Sequence, residues 1–241
     1  MLRKFGLPRI AISAIAVFVF GLTASAVRAD QVFLVNSTIA GTGQVSAQAT
    51  FHQVGGNLLA VSLQNLGTTS NVGQGISGIQ FQICDSQGHL LNVTGSITAQ
   101  DNPLIQVAGD GTSTSLGTQA TGWGLISNGQ NLTLTGLGFT GNGTNPPDEL
   151  ILGTMSGLNG SIAGNDPHNP FIYQTGVFSL TLGQNLPQGF QICNVVLLFG
   201  TGPNSVNATV PTPEPASMLL LGTGLAGVAA SIRRRRAQKK Q

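Results

Sequence analysis

Between Asp30 and Thr209 the chain repeats a two-residue rhythm of apolar and polar positions. Val45, Ala47, Ala49 and Phe51 alternate with Gln44, Ser46, Gln48, Thr50 and His52. After Gly55-Gly56-Asn57 the rhythm resumes, with Leu59, Val61 and Leu63 alternating with Ala60, Ser62 and Gln64. Period two marks a strand with one buried face, and a Gly/Asn turn between two such runs predicts a hairpin. Further strands are predicted over residues 32–39, 76–84, 90–99, 104–108, 122–126, 132–139, 150–154, 176–182 and 189–199. The last contains Val195-Val196-Leu197-Leu198-Phe199, an unbroken apolar run suited to the middle of a sheet. About ten short strands with Gly- and Asn-rich turns predict an all-β fold, an antiparallel β-sandwich of two packed sheets. A β-solenoid would need a fixed period of about 20–30 residues, and none is present. Residues 109–121, 140–149 and 157–170 read as long loops.

The two ends break this rhythm. Residues 1–29 carry Arg3, Lys4 and Arg9, then an apolar stretch over 10–22, then small residues. That order predicts a secretory signal peptide. Cleavage fits after Ala29 (Val27-Arg28-Ala29) or after Ala26 (Ala24-Ser25-Ala26), with Ala29 preferred. Residues 30–209 then form the exported domain, and 210–241 a separate segment. This segment opens with Val210-Pro211-Thr212-Pro213-Glu214-Pro215, a stiff spacer because proline fixes φ and lacks an N–H. Residues 216–232 are uncharged and predict a single transmembrane helix, which would span roughly 25 Å against a bilayer core of about 30 Å. Arg233, Arg234, Arg235 and Arg236, with Lys239 and Lys240 in the 233–241 tail, supply a cytoplasmic stop-transfer cluster that can snorkel.

Charge reinforces this division. The formal charge of +2 hides a segregation, because all ten Lys and Arg lie in the two end segments and none lies between Asp30 and Ile232. All eight acids fall inside that interval, so the exported part carries about −8. Without cations to neutralise phosphate, a nucleic-acid partner is excluded.

The combination of Pro213-Glu214-Pro215, a short apolar span and a basic C-terminal tail resembles the PEP-CTERM sorting signal of Gram-negative bacteria. The resemblance covers about residues 210–241 and leaves the domain before it without a family. It implies recognition and cleavage by an exosortase, a membrane protease-transpeptidase, near the Pro-Glu-Pro. It further implies transient anchoring in the inner membrane and delivery to the cell surface or an extracellular polysaccharide matrix.

Candidate chemistry in the exported domain is sparse. Cys84 and Cys193 each close an identical Phe-Gln-Ile-Cys segment. If those strands are neighbours, or face each other across the sheets, the thiols can meet, and an oxidising compartment favours a disulfide. Gly73-Gln74-Gly75-Ile76-Ser77-Gly78 spells a dinucleotide fingerprint but precedes a strand instead of a helix, so it is discarded. His52, His89 and His168 are isolated, and Asp166-Pro167-His168-Asn169-Pro170 reads as a turn. A weak Ca²⁺ site could draw on Asp101, Asn102 or Asp110, although no ligand ladder supports one. Trp123 and Tyr173 are the candidate sugar platforms, with Trp123 better suited to the core. Six Asn-x-Ser/Thr sequons occur, at Asn36, Asn92, Asn131, Asn142, Asn159 and Asn207. No catalytic, metal or cofactor-binding residues are expected. The expectation is a non-enzymatic surface or matrix protein. An exopolysaccharide-binding or adhesive module is the alternative, and an extracellular hydrolase the remote one.

Overall fold

A computed structural model describes residues 30–137, 149–202 and 204–210. The expected signal peptide at 1–29, residues 138–148 within and beside the expected 140–149 loop, and the segment 211–241 with its expected helix lie outside the described residues. Among the described residues no helix is long and apolar enough to cross a membrane.

Among the described residues sixteen strands appear in chain order. They are β1 (Gln31–Ile39), β2 (Gly43–Gly55), β3 (Leu58–Asn65), β4 (Thr68–Thr69), β5 (Ile76–Cys84), β6 (Gly95–Ala99), β7 (Asp101–Val107) and β8 (Ser113–Ala120). Then come β9 (Gly124–Asn128), β10 (Asn131–Thr135), β11 (Ile151–Leu152), β12 (Thr154–Met155), β13 (Phe171–Tyr173), β14 (Thr175–Leu182), β15 (Gln191–Phe199) and β16 (Asn204–Asn207). One sheet has five strands in the order β1-β2-β3-β14-β6. The other runs β16-β15-β5-β11-β13-β7-β8, with β10 paired to the middle of β5 and β9 to β10. β4 and β12 form a small parallel pair.

The expected all-β, mainly antiparallel architecture holds. Phe33, Val35, Val45, Phe51, Val61, Phe178 and Leu180 point inward from the five-stranded sheet, and Ile79, Phe81, Leu132, Leu134, Leu197 and Phe199 point back from the other. Phe33 meets Phe51 edge-on at 5.7 Å, and Phe51 meets Phe81 at 4.9 Å, so an aromatic chain crosses the core from sheet to sheet. A smaller core of Ile105, Val107, Leu150, Leu152, Ile162 and Phe171 fills the space under the 157–170 loop.

Several boundaries need correction. Residues 109–121, expected as a loop, contain β8, a full-length edge strand paired with β7. Every β8 residue is exposed, so it has no buried face to impose an alternation. The expected 90–99 strand is paired as a strand only over Gly95–Ala99, while the 150–154 strand is split into β11 and β12. β4, β13 and β16 went unpredicted because strands of two to four residues carry too few positions for a rhythm.

Both ends of the domain meet. Leu34 and Thr209 form an isolated antiparallel bridge, each backbone N–H donating to the other's carbonyl at 2.8 and 2.9 Å.

Candidate functional site

Among the described residues β6 pairs with β14 alone and β9 with β10 alone, so each presents an unpaired edge there, at the same side of the sandwich. Between these edges lies an open cleft of about 510 Å³, lined by residues 95–97 and Gln100 on one wall and 122–125 on the other. Trp123 forms its apolar floor. Its ring lies over Phe178 at 4.7 Å, and its Nε1–H donates 3.0 Å to the carbonyl of Glu149.

Glu149 secures this wall from behind. Its backbone is left-handed (φ 60°), its carbonyl and side chain both meet the 122–123 segment before β9, and its carboxylate accepts the Gly122 N–H. The carboxyl is itself buried. On the opposite wall, the Gln100 carbonyl accepts from the Asn102 side chain at 3.0 Å and from Thr121 Oγ1 at 3.2 Å. Gln100 Oε1 is buried without a protein partner. The cleft thus offers peptide groups from two strand edges and one amide over an aromatic floor. Neither an imidazole nor a carboxylate is among its lining residues. The sequence gives little sign of this arrangement, because Gln100 and Glu149 lie beside loops and act through tertiary contacts.

Trp123 is buried and therefore no sugar platform, while Tyr173 is 37% exposed. His52 contacts Asp30 at 2.6 Å and His89 contacts Asp85 at 3.0 Å, both near the surface. Asp85 closes its own turn, accepting the N–H groups of Gln87 and His89. The His89 N–H is the strongest influence holding its carboxyl below the ordinary aspartate range; desolvation opposes this, and the Gln87 N–H and the His89 ring add to the lowering. Asp110 is lowered likewise, first by the Thr112 hydroxyl and then by its N–H.

The possible Ca²⁺ ligands are not brought together. Asp101 opens β7, Asp110 sits beyond its far end, and Asn102 is fully buried in bonds to Gln100 and Val177. His168 belongs to a single 3-10 turn at Asp166–His168. The neighbouring Asn169 side chain holds both backbone groups of Val107, at 2.8 and 3.1 Å, so this stretch serves as a docking turn. Among the described residues no three His, Cys, Asp or Glu side chains converge as a metal site.

The two Phe-Gln-Ile-Cys segments lie side by side on β5 and β15. Gln191 pairs with Cys84 and Cys193 with Gln82, so the cysteines stand diagonally on neighbouring strands with Cα atoms 6.2 Å apart. They form a disulfide. The repeated segment, with Phe and Ile inward, was the readable signal for that alignment.

Pro213, Glu214, Pro215 and Arg233–Arg236 lie outside the described residues, as does Ala29. Comparison with known proteins nevertheless bears on the C-terminal segment: residues 211–236 match the PEP-CTERM protein-sorting motif. No curated protein and no solved structure matches the chain. The motif marks the chain as an exosortase-targeted protein of the cell exterior, and the sandwich has no identified family.

Proposed function

We propose that residues 30–209 are the cargo of the sorting motif: a non-enzymatic surface or matrix component. In this reading it is exported through the 1–29 signal peptide and held at the inner membrane by 216–232 with Arg233–Arg236. An exosortase-type enzyme then releases it near Pro213–Pro215. The observation that carries this reading is the abutment of fold and signal. Thr209 is still bridged to Leu34, and the matched motif begins at residue 211. The sandwich is therefore the entire described body ahead of the signal. Its acids fit a structural role, since Asp85 and Asp110 close local turns and Glu149 braces Trp123.

Changing Glu214→Ala in the full chain tests the sorting step. Loss of processing and retention in the membrane fraction are expected, and unchanged surface delivery would refute the role given to Pro-Glu-Pro.

One observation favours a carbohydrate-binding or adhesive role as second reading. The outer face of the five-stranded sheet aligns Gln48, Gln64 and Thr175 in one row and Thr50 and Ser62 between Val32 and Val177 in the next. Hydroxyl and amide side chains at a strand spacing of about 4.8 Å give an uncharged hydrogen-bonding lattice that suits a neutral polysaccharide. A glycan array probed with the exported domain separates the two readings. Selective binding lost on Gln48→Ala with Gln64→Ala supports the second, while no retained glycan leaves the first.

A further inference from the structure

We propose that the β2–β3 hairpin tip rests on the phospholipid surface of the membrane that holds the unprocessed chain. The inference rests on the reading of 216–232 as a membrane span and adds to it a contact surface on the folded domain.

The direction of the chain comes first. Because Thr209 bridges Leu34 antiparallel, the chain beyond Thr209 heads toward the start of β1. That is also where the β2–β3 hairpin ends, since Gln31 pairs with Phe51 and Asp30 contacts His52. Both exits from the domain therefore leave at the hairpin-tip end.

Length then limits the clearance. Leu34 pairs with Gln48, and Val54 lies six residues further along the hairpin, about 20 Å at ~3.3 Å per residue. Ala216, the first residue of the apolar run, is seven residues beyond Thr209. Seven residues in any conformation reach no further than about 25 Å. The membrane surface is thus held within about 5 Å of the tip's level while the anchor is in place.

The chemistry of the tip fits what it would meet. Val54 is 62% exposed and Leu58 40%, and Val210 at the exit is 66% exposed. The 183–189 loop supports the tip from behind, with Leu182 N–H bonding the Asn57 carbonyl at 2.8 Å and Leu186 N–H that of Gly56 at 3.0 Å. Neither residues 53–58 nor 183–189 include a charged side chain. Among the described residues the charged side chains near the tip are Asp30 and Asp85, and none is Lys or Arg, so the contact is apolar insertion at the headgroup level rather than attraction to anionic lipid.

The test uses the full chain in zwitterionic phosphatidylcholine vesicles, with a spin label on Val54→Cys and the native disulfide intact. A label on Ala40→Cys, at the opposite β1–β2 turn, serves as reference. Co-flotation with the vesicles reports the anchor. A several-fold lower access of an aqueous nickel chelate to position 54 than to position 40, insensitive to salt and reversed by Leu58→Asp, is the expected result. Equal access at both positions in a co-floating chain overturns the proposal while leaving the anchor standing. Failure to co-float overturns the anchor and the proposal with it. Protection that appears only after an exosortase is added also overturns it, because a protein would then be the occupant.

Discussion

Asn102 shows how single side chains hold this sandwich together. Its Oδ1 accepts the Val177 N–H at 2.6 Å, and its Nδ2 donates to the carbonyls of Gln100 and Val177 at 3.0 and 3.2 Å. Asn102→Ala leaves these buried groups unpaired and is expected to cost about 2–4 kcal/mol in urea unfolding. A loss below about 0.5 kcal/mol would mean that water replaces the amide. Asn65 works similarly, bonding the carbonyls of Gln74 and Ile151. Neither role was legible in the sequence, where Asn102 stands before the expected 104–108 strand as a possible Ca²⁺ ligand and Asn65 falls just past the hairpin's rhythm. Asp85 offers a pH test. Its folded pKa is depressed, so its contribution to stability is present above the unfolded value of about 4 and is lost as pH falls through the lower folded value. Asp85→Asn should therefore be less stable than the parent near pH 6, with the difference closing in thermal melts as pH drops below about 4.

Elements carry different information. The β2–β3 hairpin and the 79–83 stretch of β5 were legible because each has one face in the core, and their alternation follows from that burial. β8 was not, because its pairing with β7 is purely backbone and its side chains all meet solvent. Its register slips at Leu116, and Gly117 takes φ 77° there. Such a bulge bends an exposed edge and blunts pairing with another chain. The parallel β4–β12 contact depends on a close approach that only a glycine permits. A Cβ on Gly153 would lie 2.1 Å from the Gly67 carbonyl oxygen. Gly153→Ala should lower stability by about 1–3 kcal/mol or more, read as a drop in melting temperature. An unchanged melt would show that the 66–69 segment yields freely. Of the candidate site, the cysteine pairing was foreshadowed by the repeated tetrapeptide, whereas the cleft was not. Its walls are two edges whose proximity depends on how both sheets close.

For the whole molecule, the charge pattern was fully visible in the sequence and sets a solution property. Residues 30–209 hold seven acids and no Lys or Arg, a charge of about −7 that repels itself, so added salt should stabilise the domain through screening. Denaturant midpoints that fall between about 10 mM and 200 mM NaCl would contradict this.

The Cys84–Cys193 bond also has a mechanical meaning. While the chain is anchored as proposed, a pull on its C-terminal tether enters at Thr209 and β16, which pairs with β15 through four residue pairs. Pulled from one end, those pairs separate in succession, and the strand strips back along β15. The stripping halts at Cys193, whose bond hands the load to β5 in the sandwich centre. The 109 residues of separation between the cysteines stay out of the extended path, a hidden length of about 390 Å. Stretching single molecules between residues 30 and 210 should therefore yield a final length shorter by about that amount before reduction than after it. Equal lengths would mean the bond carries no load.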